Sequence, residues 1–421
     1  MGEGDALIEA IQAQLYRQFA HGAAGQIRTT RCYPARLMKP TVGVGIPPST
    51  RLASFYFAYF CYLGAYAPYF SLYLAGEGFP PAEIATMLAL PQFVRIFAPM
   101  AWGWLSDATG SRRGVVALSC AATTLAVTAL FFVSGFLQTA LTVALIGMCS
   151  AAVLSIVDAL TFSELGARTE RYGPIRLWGS VGFILAVLAT GALLDAVPVS
   201  RLLWVLCGLS LGTFLVACGL PSPRVERTAP LKGSLQAILR RPEVVAFFAA
   251  CAAMTVAHGA LYVFYSIYLV GHGYSKTVVG LMWMIGVLAE IVVFIAMPAL
   301  MRHVSLRAIL LASFLAAGVR FVAIGWGVDW FFVLVLAQLL HGATFGSFHA
   351  VSIAVVHRLF DGPLQVRGQA LYMSLCYGLG GMAGTLLAGA TWDTLGAPLT
   401  FGISALFGLA GAAIVAWRVR I

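Results

Sequence analysis

The chain has 421 residues, of which 60% are hydrophobic and only 10% charged, with a formal net charge of +10. Ordinary soluble domains carry roughly 25% charged residues, so a composition this apolar excludes a water-soluble globular fold. In lipid only helices or closed barrels satisfy their own backbone, and apolar runs of about 20 residues without alternation select helices over barrel strands of about 10.

In chain order, residues 1–50 form a cytoplasmic arm with Arg17, Arg28, Arg31, Arg36 and Lys39 but no apolar core of signal-peptide type. Met38 lies shortly before the first span, which is the basis for expecting residues 1–37 not to be native; a short amphipathic helix over 5–19 is the other reading. Six spans are predicted at 52–74, 82–104, 114–134, 139–163, 176–195 and 202–220, forming a first bundle over 51–220. The longest polar break, 221–243, holds Pro221, Pro223, Arg224, Arg227, Lys232, Arg240 and Arg241 and reads as a cytoplasmic linker. Six more spans at 244–270, 277–300, 305–326, 331–356, 369–391 and 396–417 form a second bundle over 244–418. The expected fold is all-α and membrane-integral, with 12 transmembrane helices in two six-helix halves.

Basic residues set the orientation. With the N-terminus inside, cytoplasmic segments hold 22 of the 26 Lys and Arg residues; the outer loops keep only Arg201 and Lys276, and Arg95 and Arg320 fall within spans. Both termini are therefore expected in the cytoplasm. The positive charge is a topological signal at helix ends and implies no nucleic-acid partner. Seven of the eight cysteines lie in predicted spans and Cys32 in the arm, so no disulfide framework is expected.

The halves repeat each other. Residues 69–78 and 264–273, at an offset of 195, share a serine, a tyrosine, a leucine and two glycines, and the same offset aligns Arg95 with Glu290. Gly182 and Asp195 align with Gly380 and Asp393 at an offset of 198. Two six-helix repeats related about the membrane normal are a transporter arrangement, with the solute site between them near mid-membrane.

The loop after the second span reads Gly103-Trp-Leu-Ser-Asp107-Ala-Thr-Gly110-Ser-Arg112-Arg113. It resembles the G-x-x-x-D-[RK]-x-G-x-[RK]-[RK] signature of the major facilitator superfamily, with Ala108 departing from the usual basic residue. Gly103 would permit close helix approach and Gly110 a tight turn. Asp107 could pair with helix termini or basic groups during gating, and Arg112 and Arg113 would anchor the loop. A narrower resemblance, to the 3-phenylpropionate permease group of the lactose-permease-like, proton-coupled branch, runs over about residues 50–418. It is carried by Tyr172-Gly-Pro-Ile-Arg176-Leu-Trp178-Gly179-Ser180 and by Asp158, His258, Glu290, Arg320, His341 and His349. The resemblance implies proton symport of a small organic solute, the first expectation being an aromatic carboxylate such as 3-phenylpropionate. A sugar or nucleoside permease, and an efflux transporter, are the alternatives. It also implies a bacterial inner-membrane location.

The residues offer candidates on their own account. Tyr56, Tyr59, Tyr62, Tyr66, Tyr69 and Tyr73 lie on one face of the first span. Tyr56 and Tyr73 fit interface anchors, whereas Tyr62, Tyr66 and Tyr69, with Tyr262 and Tyr265 in the seventh span, are expected to line a cavity. Buried charges mark a pathway by default: Arg95 and Arg320 are candidate solute contacts, and Glu290, Asp158, His258, His341 and His349 are candidate proton carriers. Structural pairing of Glu290 with Arg320, a half-hydrated helix-end role for Asp158 and plain packing for the histidines are the competing readings. No ATP-binding G-x-x-x-x-G-K-[ST] loop and no usual zinc spacing occur. The expectation is therefore no cofactor, no catalytic residue and a proton gradient as the driving force. The expected partners are protons, a small solute and the bilayer, for a functional monomer. An intramembrane enzyme or a non-transporting sensor are the other classes.

Overall fold

The computed structural model describes residues 46–166, 168–222, 236–360 and 364–419. The arm over 1–45, with the expectation about 1–37, lies outside the described residues, as do residues 223–235 of the linker.

Among the described residues, twelve long rods follow one another. They are α1 (Pro48–Gly76), α2 (Pro81–Thr109), α3 (Arg112–Ala129), α4 (Phe136–Leu165), α5 (Tyr172–Ala196), α6 (Leu202–Cys218), α7 (Pro242–Gly271), α8 (Lys276–His303), α9 (Leu306–Gly327), α10 (Phe331–Leu359), α11 (Arg367–Leu395) and α12 (Ala397–Arg418). Ten helices are long and apolar enough to cross a membrane. Two rods fall short by the same measure: α1 carries six tyrosines, and α3 has 18 residues and opens on Arg112 and Arg113. The third helix was expected to run to 134 but ends at Ala129; the turn over 130–135 closes on Gly135 at φ 75, which starts α4.

Breaks inside the rods have local causes. In α2, Pro99 has no N–H to return to the Arg95 carbonyl, and the helix opens over 95–97. In α7 the break falls at His258 and Gly259. Segments of π-helix occupy Gly342–Ser347 in α10 and Met373–Gly380 in α11, the wide winding that recurs where a helix serves a site.

The rods pack through small residues. Lipid offers no hydrophobic drive between helices, so association depends on close van der Waals approach. A Cβ on Gly64 would strike the Phe183 backbone of α5, and one on Gly182 the Phe57 backbone of α1. In the second set, Gly259 presses on the Gly384 backbone and Gly380 on Thr255 and Ala252. Gly64 and Gly259 are 195 positions apart, Gly182 and Gly380 198 apart, so α1–α5 and α7–α11 are crossed at corresponding glycines.

Across the two sets α5 meets α8, α2 meets α11 and α1 meets α7. These contacts lie toward the end of the bundle that carries the chain turns after α1, α5, α7, α9 and α11, here called the distal end. Toward the opposite, basic end they continue as far as Ile96, whose carbonyl accepts from Ser374 Oγ at 3.3 Å and whose side chain meets Gly378. Gly103 was expected to permit close helix approach; a Cβ there would have nothing within 4 Å. Among the described residues, no other helix comes within reach of a Cβ at Gly103. Gly110 does turn the chain in the left-handed region, at φ 62.

Gly182→Leu is expected to lower the thermal unfolding midpoint of the detergent-solubilised protein, at a cost on the order of 1–3 kcal/mol or more from overpacking against backbone. Gly208→Leu on α6, with open space around it, is expected to be near neutral. Equal midpoints for the two would remove the crossing argument.

Candidate functional site

Aromatic side chains define the middle of the bundle. Along α1, Tyr62, Tyr66, Phe70 and Tyr73 form one continuous stack, with centroid spacings of 5.7, 4.6 and 5.7 Å. Tyr73 and Tyr56, expected as interface anchors, are both buried. Tyr73 ends the stack, and Tyr56 donates to Asp158 at 2.6 Å. Tyr69 was grouped with the solute contacts, yet its hydroxyl is used at the distal end, donating to the Val187 carbonyl at 2.7 Å and the Lys276 carbonyl at 3.1 Å.

Opposite α1, Tyr262 is 38% exposed in a helix that is otherwise largely buried. It faces open space, stacks on Trp283 at 6.2 Å and lies 5.9 Å from the His258 ring. Arg320, Glu290 and Arg95 all lie within electrostatic reach of its hydroxyl.

Arg320, only 1% exposed, is held by neutral acceptors. Nε donates to the Ala337 carbonyl at 3.0 Å, Nη1 to Thr344 Oγ1 at 3.0 Å and Nη2 to Gln338 Oε1 at 3.1 Å. His258 Nδ1 lies 2.8 Å from the Met254 carbonyl, to which it donates; Nε2 is then the acceptor facing Arg320 Nη1 at 3.5 Å. The carbonyl fixes that tautomer, and both ring nitrogens are engaged. No carboxylate forms an ion pair with Arg320 among the described residues, so the Glu290–Arg320 pair is not made in this conformation. Glu290 instead has Oε2 3.9 Å from His341 Nε2 and lies within electrostatic reach of Arg176, across the interface on α5.

His341 and His349 share a face of α10, but Phe345 is sandwiched between them at 5.4 and 5.8 Å, its ring nearly parallel to both. A carbon ring between two imidazoles breaks any direct proton path along that face. His349 Nδ1 contacts Tyr377 Oη at 3.1 Å.

The motif opening α5 builds a second polar cluster nearer the basic end. Asp158 is half-buried, and its Oδ1 accepts from Tyr56 at 2.6 Å and from Tyr172 at 3.0 Å. The Arg176 guanidinium lies 4.2 Å from the Phe60 ring centroid and 5.3 Å from that of Tyr56. Gly179 makes room for both partners, since a Cβ there would meet Phe60 and Arg176 itself. Trp178 is exposed, edge-on to Phe57 at 6.4 Å. In the motif between α2 and α3, Asp107 and Arg113 are exposed, and Arg112 Nη1 reaches the Ala159 carbonyl at 3.4 Å.

Among the described residues, Tyr62 Oη, Gln92 Oε1, Tyr265 Oη, Trp283 Nε1, Gln338 Nε2, His341 Nδ1 and Tyr372 Oη are buried without a hydrogen-bond partner. Tyr265, Trp283, Gly286, Arg320, Gln338 and His341 line one small void. Sequence reasoning missed Gln92, Trp283, Gln338, Thr344 and Phe345. The two glutamines were open to the same polar-in-a-span rule that found the charges. Thr344 and Phe345 carry no sequence signal, because their roles come from the α10 π segment turning them inward.

Helices satisfying their own backbone in lipid, closed at one end around a central polar and aromatic space, define a multi-pass membrane transporter. Residues 49–403 match the MFS_1 like family, and the chain belongs to it. It is a secondary transporter of the major facilitator fold that moves a small organic solute by alternating access, and not an enzyme. The chain is 29% identical over 362 residues to the "Probable 3-phenylpropionic acid transporter" of Escherichia coli (strain K12), spanning 83% of this chain and 92% of that one. It is 28% identical over 381 residues to the maltose permease of Geobacillus stearothermophilus, spanning 87% and 94%. The crystal structure of the nucleoside transporter NupG superposes with a TM-score of 0.78 at 16% identity, covering 88% of this chain and 99% of that one.

Gln338→Leu is expected to cost about 1–3 kcal/mol of stability, because it leaves Arg320 Nη2 buried without its acceptor. Gln338→Glu, which keeps an acceptor and adds a counter-charge, is expected to cost less. Thermal unfolding in detergent orders the three proteins, and a Gln338→Leu protein as stable as the parent would show that Arg320 does not depend on that oxygen.

Proposed function

We propose that the chain is a twelve-span, two-half, proton-coupled importer of a neutral, hydroxyl-rich solute of the sugar or nucleoside class. The observation that carries this reading is the set of unpartnered neutral polar atoms at Tyr62, Gln92, Tyr265, Trp283, Gln338 and His341. Groups of this kind, buried and unsatisfied, call for a ligand that donates and accepts without charge. The rings of Tyr62, Tyr66, Tyr262 and Trp283 offer faces for a pyranose or a planar base. The similarity to a maltose permease supports the same class.

A second reading is an aromatic carboxylate. It is favoured by the buried guanidinium of Arg320 with no carboxylate on it, and by the similarity to a 3-phenylpropionic acid transporter. Against it, the three nitrogens of Arg320 already donate to Ala337, Thr344 and Gln338.

For coupling, Glu290 is the proposed proton carrier. Its Oε2 lies 3.9 Å from His341 Nε2, and the charge of Arg176 on α5 acts on it. Taking a proton removes its attraction for Arg176, so charge state and the relation between the halves change together. Orientation follows the basic residues: the distal end outward, both termini and the 221–243 linker in the cytoplasm, in a bacterial inner membrane.

Purified protein in sealed vesicles with an inward proton gradient is expected to accumulate labelled nucleosides or glycosides and to leave 3-phenylpropionate at equilibrium; the reverse pattern selects the carboxylate reading. For the solute that is accumulated, Glu290→Gln should abolish gradient-driven concentration while equilibrium exchange persists. A folded Glu290→Gln protein that still concentrates solute with normal proton stoichiometry makes Glu290 structural. Reporter fusions after 136 and after 230 are expected to read outside and inside, and inversion at both would reverse the orientation.

A further inference from the structure

The distal end closes along two seams at corresponding positions of the repeat. In the α5–α8 seam, Gly191 presses on the Lys276 carbonyl and Tyr69 Oη, and Gly280 on Tyr69 Oη and the Val187 carbonyl. In the α2–α11 seam, Gly389 presses on Ala85 and Pro81. Position for position, Gly191 and Asp195 correspond to Gly389 and Asp393 at the offset of 198, and Lys276, Thr277 and Gly280 to Pro81, Ala82 and Ala85 at the offset of 195.

The shapes repeat, but the chemistry does not. In the last turn of α5, Asp195 Oδ1 accepts from the Lys276 backbone N–H at 2.8 Å. Its Oδ2 accepts from the Thr277 N–H at 2.9 Å and the Thr277 hydroxyl at 2.6 Å, and Lys276 Nζ stands 3.8 Å away. These backbone donors belong to the first turn of α8, where N–H groups have no partner inside the helix and the dipole favours a negative charge. The single Tyr69 hydroxyl proton is shared between the Val187 carbonyl of α5 and, across the same seam, the Lys276 carbonyl of α8. At the other seam, Asp393 occupies the corresponding place, but Pro81 has no N–H, Ala82 has no hydroxyl, and Glu83 in that first turn opposes a second carboxylate. Phe264 stands where Tyr69 stands in the first half, and it stacks on Trp392 at 4.3 Å with no hydroxyl to donate.

We propose that the distal gate is latched on one seam only, and that Asp195 is the positioning residue that sets the balance between the distally closed and distally open states. The proposal rests on the alternating-access reading of the fold. Because Asp195 satisfies donors on the facing half and is partly exposed, water can take its place when the seam parts; the α2–α11 seam exchanges only packing. Asp195 and Asp393, one residue type at corresponding positions, therefore have unequal consequences.

The test reads the gate without any solute. Spin labels are placed at Ser200 and Asp329, both exposed at the distal end, in a background with Cys32 and Cys218 replaced by serine, and inter-label distances are measured in liposomes. The parent is expected to give mainly the short-distance population. Asp195→Asn, which loses the charge and turns one acceptor into a donor, is expected to raise the long-distance population by about tenfold, the scale of one lost charged hydrogen bond. Thr277→Val and Tyr69→Phe should shift the balance in the same direction by less, and Asp393→Asn should match the parent. A parent-like distribution for Asp195→Asn, or an equal shift for Asp393→Asn, overturns the proposal. Should Asp195→Asn fail to fold, Thr277→Val decides in the same way, since it leaves every charge in place. A failed latch leaves the transport reading untouched, because that reading stands on vesicle uptake.

Discussion

Close backbone contact at glycine is the constraint on which the rest depends. A bilayer gives helices no hydrophobic reason to associate, so the bundle is held by packing density and hydrogen bonds. Gly64 and Gly182 bring α1 onto α5, and Gly259, Gly380 and Gly384 bring α7 onto α11. Those crossings fix how α1 sits on α5 and how α7 sits on α11, and so how each aromatic face is presented to the space between them. A smaller residue than glycine does not exist, so neither crossing has slack. Motion is left to the interfaces where one set of helices meets the other.

Within that frame, the buried charges are kept apart. Arg320 sits in a cage of neutral oxygens, its orientation set by the hydrogen bonds to Ala337, Thr344 and Gln338 and by His258. Glu290, though near, is turned to His341. A direct Glu290–Arg320 pair would satisfy both at once and leave little to respond to a proton or a solute. Separation keeps each group electrostatically exposed to the central space, and Tyr262 is the side chain through which both are felt.

Much of this was legible in the sequence. Composition and run length give lipid-embedded helices, and the 195 and 198 offsets pick out small residues at which α1 meets α5 and α7 meets α11. The charges of α8 and α9 stood out because charge in a span is costly. Their partners did not. Nothing in the residue order says that Arg320 turns to Gln338 rather than Glu290, since that depends on how α9 packs against α10. The tyrosine stripe was visible as one helical face, but its division of labour was not. Tyr62 keeps a free hydroxyl, Tyr69 spends its hydroxyl on the distal seam, and Tyr56 donates a hydrogen bond to Asp158. Each outcome is decided by what the facing helix offers, which periodicity cannot encode.

A duplicated fold brings a difficulty that the distal end answers. Two identical halves would close along two identical seams, and opening would require breaking both sets of bonds together. Sequence divergence at a handful of positions removes that requirement. Proline at 81 deletes the backbone donor and the ammonium that Lys276 supplies at the other seam, alanine at 82 deletes the hydroxyl of Thr277, and phenylalanine at 264 deletes the hydroxyl of Tyr69. The glycines and small residues that set the shape are retained, so both seams still close. Directional polar bonds, lost within a fraction of an ångström, are confined to one seam, and packing forces, which relax more gradually, serve the other. Shape and bonding have thus been separated: the repeat supplies the first, and its divergence places the second where a single release can part the halves.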